Sequence, residues 1–316
     1  MHSFFDPSSP QARAVAHLWW WMLGVGGAIW IGVTIVALYA GFAPRGRRAA
    51  DDLVHVPAET HRRLERVVSV SVGATILILI AFLAYDFTVG RALAQHPQRG
   101  MTIDVTGHQW WWEVLYENPD PSRQLLTANE IHVPVGEPVQ FKLRAADVIH
   151  SFWAPNLSGK RDLIRGYMST IWFKADTPGV YRGQCAEFCG LQHAKMAFYV
   201  VADPRPKFDA WLAAASQSHQ TPTDSTLLSG ERVFLSSGCA VCHTISGTQA
   251  FATVGPNLSH FGSRSTIAAG TLPNTKENLA RWIFNPQMIK PGVIMPQVPL
   301  QPAQLSAVVA YLESLK

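Results

Sequence analysis

Cys239-Ala-Val-Cys242-His243 is the stretch that decides how the C-terminal part of this chain folds. Two thiols three positions apart add across the two vinyl groups of a haem, and a histidine directly after them is held where its imidazole ligates the iron. Zinc knuckles and thioredoxin-like redox motifs also use C-x-x-C, but zinc needs a second ligand pair nearby and a redox dithiol has no use for the following histidine. The flanking pattern is that of a small helical module built round one haem: a helix around 228–236, another over 276–284 and an apolar-periodic one over 302–315. The opposite axial ligand must come from elsewhere in the module. Met288 and Met295 are the candidates, with His260 outside them, and Met295 is favoured. Gly230 and Phe234 facing Tyr311 read as plain helix packing.

The chain has only four cysteines in 316 residues, and the other two fall in a second compact group, Cys185-Ala-Glu187-Phe-Cys189-Gly-Leu-Gln-His193-Ala-Lys-Met196. His150 lies upstream, at the end of a candidate strand. Two thiolates, two imidazoles and a thioether form a soft donor set that suits copper better than hard cations. Four-residue spacing would align 185, 189 and 193 on a helix, but Gly183 and Gly190 point to a loop between strands. Such a loop lets both thiolates bridge a pair of copper ions. Spacing leaves two rivals open: a Cys₂His₂ zinc site, with His150 a remote fourth ligand, and a disulfide between Cys185 and Cys189. Haem attachment through cysteines points to an oxidising compartment outside the cytoplasmic membrane. The net charge of +4 is small and dispersed, which argues against nucleic acid as a partner.

Two uncharged apolar runs, 18–42 and 67–85, are each long enough to cross ~30 Å of hydrocarbon as a helix. A signal peptide has a shorter apolar region with basic residues before it, whereas here Arg13 is the lone basic residue of the preceding tail. Trp19, Trp20, Trp21 and Trp30 read as interfacial anchors. The intervening stretch, 44–66, carries Arg45, Arg47, Arg48, Arg62, Arg63 and Arg66, so the positive-inside rule puts it in the cytoplasm and both termini outside.

Beyond residue 100 the period changes. Val139, Phe141 and Leu143 alternate with Gln140, Lys142 and Arg144, as in a strand with one buried face. Further β-rich runs at 101–116, 131–135, 169–174 and 196–202, separated by turn signals, predict a small β-sandwich. Residues 207–215 read as a short helix, and 216–225, rich in Ser, Gln, Thr and Pro, as a flexible linker. The expected division is a transmembrane helical hairpin over 1–95, a sandwich over 96–206, a linking segment over 207–225 and an all-α module over 226–316.

The hairpin, Gly107-His-Gln-Trp110-Trp-Trp112, His150-Ser-Phe-Trp153 and the 183–196 run together resemble subunit II of haem-copper cytochrome c oxidase. The C-terminal extension resembles the variant in which a cytochrome c is fused to that subunit. The resemblance implies a cupredoxin-like fold carrying a dinuclear copper centre, CuA. Cys185 and Cys189 would bridge, His150 and His193 would be terminal ligands, Met196 would bind one copper weakly and the Glu187 carbonyl the other. It further implies a magnesium ion at the border with subunit I, held in part by the Glu187 side chain. Met295-Pro296 resembles the segment that supplies the sixth iron ligand in small cytochromes c, and Gly255-Pro-Asn257 the loop beside the proximal histidine. Trp110 corresponds to a surface tryptophan that serves as the electron entry point; plain packing is its alternative, and so is a fused haem module that makes a surface entry point redundant. Three successive tryptophans cannot all face one core, so at least one is expected to be exposed or at an interface. Glu65 resembles a glutamate near a proton entry route, although Val68 and its neighbours stand where that family usually has tryptophan.

His108 and His132 lack ligand partners in sequence and read as surface or core residues. Reducing oxygen needs several intramembrane histidines, which the apolar runs do not contain; His17 lies just before the first. The chain is therefore expected to be an electron-entry subunit in a bacterial inner membrane, with both redox domains on the periplasmic side. Electrons would pass from a donor, a cytochrome c or a quinol-oxidising complex, through haem c and CuA to subunit I. Subunit I, accompanied by subunit III and surrounded by lipid, would reduce O₂ to water and translocate protons. The runner-up is the equivalent subunit of a nitric oxide reductase, and a third reading is a membrane-anchored electron carrier without a fixed partner.

Overall fold

The computed structural model describes residues 3–43, 58–94 and 100–316. One body, residues 14–95, consists of helix α1 (Pro10–Phe42) after its first turn and helix α2 (Ala58–Ala94). At 33 and 37 residues, both exceed the ~20 needed to span a bilayer. Their apolar side chains point outward, Trp30 and Leu77 each 69% exposed, and α2 buries no residue. A surface of that kind suits lipid rather than water. Of the expected basic loop, Arg45, Arg47 and Arg48 lie outside the described residues, whereas Arg62, Arg63 and Arg66 belong to α2. The helix starts before the apolar run because Ala58 to Arg66 is rich in strong helix formers. For the same reason His17 lies within α1 rather than before it.

In the other body, two five-stranded sheets pack face to face. The first has the order β3 (Leu125–Ala128), β2 (Trp111–Tyr116), β1 (Met101–His108), β5 (Val139–Ala145), β8 (Ser169–Phe173). The second runs β4 (Glu130–Pro134), β10 (Ala197–Asp203), β9 (Gly179–Cys185), β6 (His150–Trp153), β7 (Arg161–Leu163). β1 lies parallel to β5 and β4 parallel to β10, the remaining neighbours being antiparallel. Alternation along β5 buries Val139, Phe141 and Leu143. They meet Trp112, Phe152, Phe173 and Phe198 between the sheets, where Trp112 stands edge-on to Phe198 at 5.3 Å. This is the expected cupredoxin-like sandwich. Helix α3 (Arg205–Ala215) closes it by stacking Trp211 on His132 at 4.0 Å.

Where the composition suggests a flexible linker, the chain is laid against the helical module. The His219 N–H donates to the Ser246 carbonyl at 3.0 Å, and its ring stands edge-on to Tyr311 at 5.4 Å. A polar composition does not prevent docking when one residue supplies both an aromatic face and a backbone donor. Asp224 then caps α4 (Ser225–Ser236), accepting from the Thr226 and Leu227 N–H groups. Thr275 caps α5 (Lys276–Phe284), the short α6 (Pro286–Ile289) follows, and the Gln304 side chain accepts from the Gln301 N–H to start α7 (Pro302–Ser314). Phe234 and Tyr311 meet at 6.2 Å where α4 crosses α7, as packing required. The sandwich and the module belong to one body. Glu130 accepts from the Ser265 N–H and hydroxyl, and Ala197 N–H donates to the Ala269 carbonyl.

Candidate functional site

β9 ends on Cys185, and the chain then loops through Glu187, Cys189 and His193 to Met196, one residue before β10 begins. β6 delivers His150 from the adjacent strand. The sulfurs of Cys185 and Cys189 are 3.7 Å apart, His150 Nδ1 is 3.9 Å from the first, and His193 Nδ1 and Met196 Sδ are 3.7 and 3.8 Å from the second. The Glu187 carbonyl lies 3.2 Å from Cys185 Sγ. His150, Cys185, Cys189 and Met196 are buried, and both thiols are free. Among the described residues, His150, Cys185 and Cys189 are the only group of three histidine, cysteine or acidic side chains close enough to share an ion.

The electrostatics explain what such a pocket needs. Cys185 is held far below the usual thiol range, to about 3, first by the Cys189 S–H and then by the His150 ring. Cys189 is pushed up, because a second thiolate would sit against the first in a buried site. Two thiolates at this separation coexist only around a cation, and the thioether and imidazoles make it a soft one. The donor set therefore fits copper.

Three supports went unseen in the sequence. The Asp147 carboxylate sits 2.8 Å from His150 Nε2, which leaves Nδ1 to face Cys185. Gln109 Nε2 and Trp110 Nε1 both donate to the Cys189 carbonyl, at 2.8 and 2.9 Å. Gly107 lets the His150 ring approach, since a Cβ there would lie 2.8 Å from it. Asp147→Ala should therefore weaken copper retention by about 10- to 100-fold, as loss of a carboxylate behind a ligating imidazole does. Titration of the purified chain with a copper chelator measures this; unchanged retention would reduce Asp147 to a loop residue.

A second cavity is lined by Cys239, Cys242, His243 and Met295, with Leu258, Leu279, Ile283, Val308 and Leu312 as its apolar walls. His243 Nδ1 donates to the Pro256 carbonyl at 2.8 Å, which leaves Nε2 to a ligand. Burial lowers the ring's pKa, the Pro256 hydrogen bond opposing it, and keeps the imidazole neutral as iron ligation requires. A Cβ on Gly255 would strike that ring at 2.6 Å, so the loop at 255–257 needs glycine there. Met288 is 79% exposed and does not line the cavity, and His260 lines a separate hollow. Arg264, half-buried, lines it with its Nε unpaired, and burial pulls the guanidinium down to about 10, Glu130 opposing. Together the thiols, imidazole, thioether and apolar walls fit a covalently held haem.

The sandwich contributes Gln109, Trp110, Trp111 and Asn129 to the same cavity. Trp112 is fully buried, Trp111 is half-buried and stacked on His108 at 4.3 Å, and Trp110 is only 6% exposed. Trp110 thus packs with the sandwich core and lines the cavity shared with the helical module rather than standing on an open surface. Glu187 directs its carboxylate to Lys160 at 3.6 Å. His108 stacks on Trp111, and His132 lies between Glu130 and Asp203.

Comparison with known proteins agrees with this layout. The family described as cytochrome C oxidase subunit II, periplasmic domain, matches residues 118–203, and the cytochrome c family matches 228–316. Cytochrome c oxidase subunit 2 of Alkalihalophilus pseudofirmus is 36% identical, with 98% of this chain and 90% of that one aligned. The protein of the same name from Bacillus sp. strain PS3 is 32% identical over 86% of this chain and 80% of its own. The crystal structure of the periplasmic domain of subunit II of cytochrome oxidase from Bradyrhizobium japonicum, 32% identical, covers 38% of this chain and 96% of its own at a TM-score of 0.36. Similarity of this degree along nearly the whole chain, through apolar helices, sandwich and haem module alike, makes it a member of the cytochrome c oxidase subunit II family.

Proposed function

We propose that the chain is the electron-entry subunit of a respiratory haem-copper oxidase. Cys239 and Cys242 would hold haem c covalently, and His243 and Met295 would ligate its iron. His150, Cys185, Cys189, His193, Met196 and the Glu187 carbonyl would hold CuA. Each group, when bound, takes up and releases single electrons, while oxygen chemistry belongs to subunit I. Both histidines described in the two long helices, His17 and His61, lie outside the apolar runs, so those runs offer no histidine to a catalytic haem. The arginines beside the apolar runs favour a cytoplasmic connection and periplasmic redox domains in a bacterial inner membrane. Subunit III, surrounding lipid and an external donor, a cytochrome c or a quinol-oxidising complex, complete the assembly, whose turnover moves protons. The Glu187 carboxylate is the chain's candidate contribution to a magnesium ion at the subunit I border.

The observation that carries this reading is the joint lining of the haem cavity and the copper loop by Trp110. Its side chain reaches the cavity while its indole donates to the Cys189 carbonyl. Trp110 is therefore the entry point to the copper cluster from the fused module rather than from a soluble carrier. Purification in mild detergent should yield a complex containing a copper–haem subunit I that consumes O₂ when a donor is supplied. Turnover of NO without O₂ would transfer the chain to nitric oxide reduction, and purification without any haem-bearing partner would leave it a free-standing carrier.

A further inference from the structure

Lys290 is 2% exposed, and its amine donates to the Trp110 carbonyl at 2.8 Å and the Ala268 carbonyl at 3.2 Å. Among the described residues no carboxylate pairs with it, and burial pulls the amine down to about 7, with Lys195 adding to the effect. A lysine is seldom buried so completely unless its hydrogen bonds repay the loss of water. Here the bond to Trp110 crosses from the haem module to the sandwich, while the bond to Ala268 holds the amine within its own module.

The same segment is gripped twice more. Gln192 Nε2 donates to the Pro291 carbonyl at 2.7 Å and Lys195 Nζ to the Ile289 carbonyl at 2.5 Å. Gln192 and Lys195 flank His193, and the gripped residues lead directly to Met295. α6 braces that passage, since Gln287 Nε2 donates to the Val293 and Met295 carbonyls and its Oε1 accepts from the Gly292 N–H. The positions of the two ligand loops are thus tied by side chains that belong to neither ligand set.

We propose that Lys290, with Gln192 and Lys195, is a fastener that fixes the Met295 loop against the Cys189–His193 loop, so that the haem module works docked and does not swing on residues 216–225. Lys290 is a positioning residue for electron transfer, and this role rests on the functional reading given above. An apolar side chain in its place would fill the space but leave the Trp110 carbonyl buried without its donor, whereas the Ala268 carbonyl would keep the Thr271 hydroxyl at 2.6 Å.

The test uses the assembled oxidase with Lys290→Met. Hydrogen exchange should accelerate by about tenfold or more at 191–195 and 289–293 while α4 and α7 keep their protection. Electron transfer from haem to copper, followed after rapid mixing, should slow by about tenfold and become sensitive to solvent viscosity, because displacement of a reacting pair by an ångström is costly. Unchanged exchange with a viscosity-independent rate would overturn the fastener, and so would loss of protection throughout the module, which marks a purely structural role. Should Lys290→Met fail to assemble, the double variant Gln192→Ala with Lys195→Ala gives the same readouts from the sandwich side. Absence of copper or covalent haem from the unmodified complex would instead overturn the functional reading itself.

Discussion

Cys189→Ser is expected to abolish the near-infrared absorption of the mixed-valence copper pair while leaving the covalent haem spectrum in place. Cys189 Sγ lies within 3.8 Å of Cys185 Sγ, His193 Nδ1 and Met196 Sδ, so it is the atom through which the donor set converges. A serine hydroxyl is nearly the same size but hard and not ionised, so it cannot bridge two coppers. The haem side is insulated for a specific reason. The Trp110 indole is hydrogen-bonded to the backbone carbonyl of Cys189, which serine retains, and the haem cavity draws none of its lining from residues 185–196. Optical and EPR spectra of the variant, with copper and haem contents determined on the same sample, measure both halves of the expectation. Two coppers with an unchanged EPR pattern would refute the bridging role.

How much of this was legible beforehand depended on whether a residue carries its chemistry in its own side chain. Cys239-x-x-Cys-His243 and the Cys185–Met196 run announce soft ligands whatever surrounds them. The alternation along β5 survives because one face is wholly buried and the other is not. β6 and β7, of four and three residues, are too short to show a period, so the strand that presents His150 had to be read from its ligand rather than its pattern. Asp147 was missed because an acid before a strand is ordinary; only its distance from His150 gives it a role. The docking of the two redox domains was the least legible feature. It depends on carbonyls of Trp110, Ala269, Ile289 and Pro291, and a backbone acceptor leaves no mark in the sequence. Lys290 compounds this, since lysine ordinarily signals an exposed surface. Trp110 was expected on the surface above the copper loop and is instead packed with the sandwich core at the edge of the haem cavity. The polar segment at 216–225 reads as a free linker for the same reason: composition records how well a segment tolerates water, not whether a neighbouring face is offered to it.

Met295→His is expected to keep haem bound through Cys239 and Cys242 but to lower its midpoint potential and remove the weak sulfur-to-iron band near the red end of the oxidised spectrum. A thioether favours ferrous over ferric iron relative to a second imidazole, so exchanging it stabilises the oxidised form. The prediction is specific to one methionine. Met295 lines the cavity with His243, held by Gln287 on its carbonyl and by Pro296 behind it, whereas Met288 projects into solvent from α6 at 79% exposure. Met288→Leu should accordingly leave potential and band unchanged. His260 cannot substitute from where it stands, because it faces the hollow beside His219 and Lys316. A potentiometric titration of both variants in the assembled oxidase decides the matter. If Met288→Leu lost the band and Met295→His did not, the sixth ligand would have to come from α6, and the fastened loop at 289–295 would hold the haem module in place without contributing a ligand to its iron.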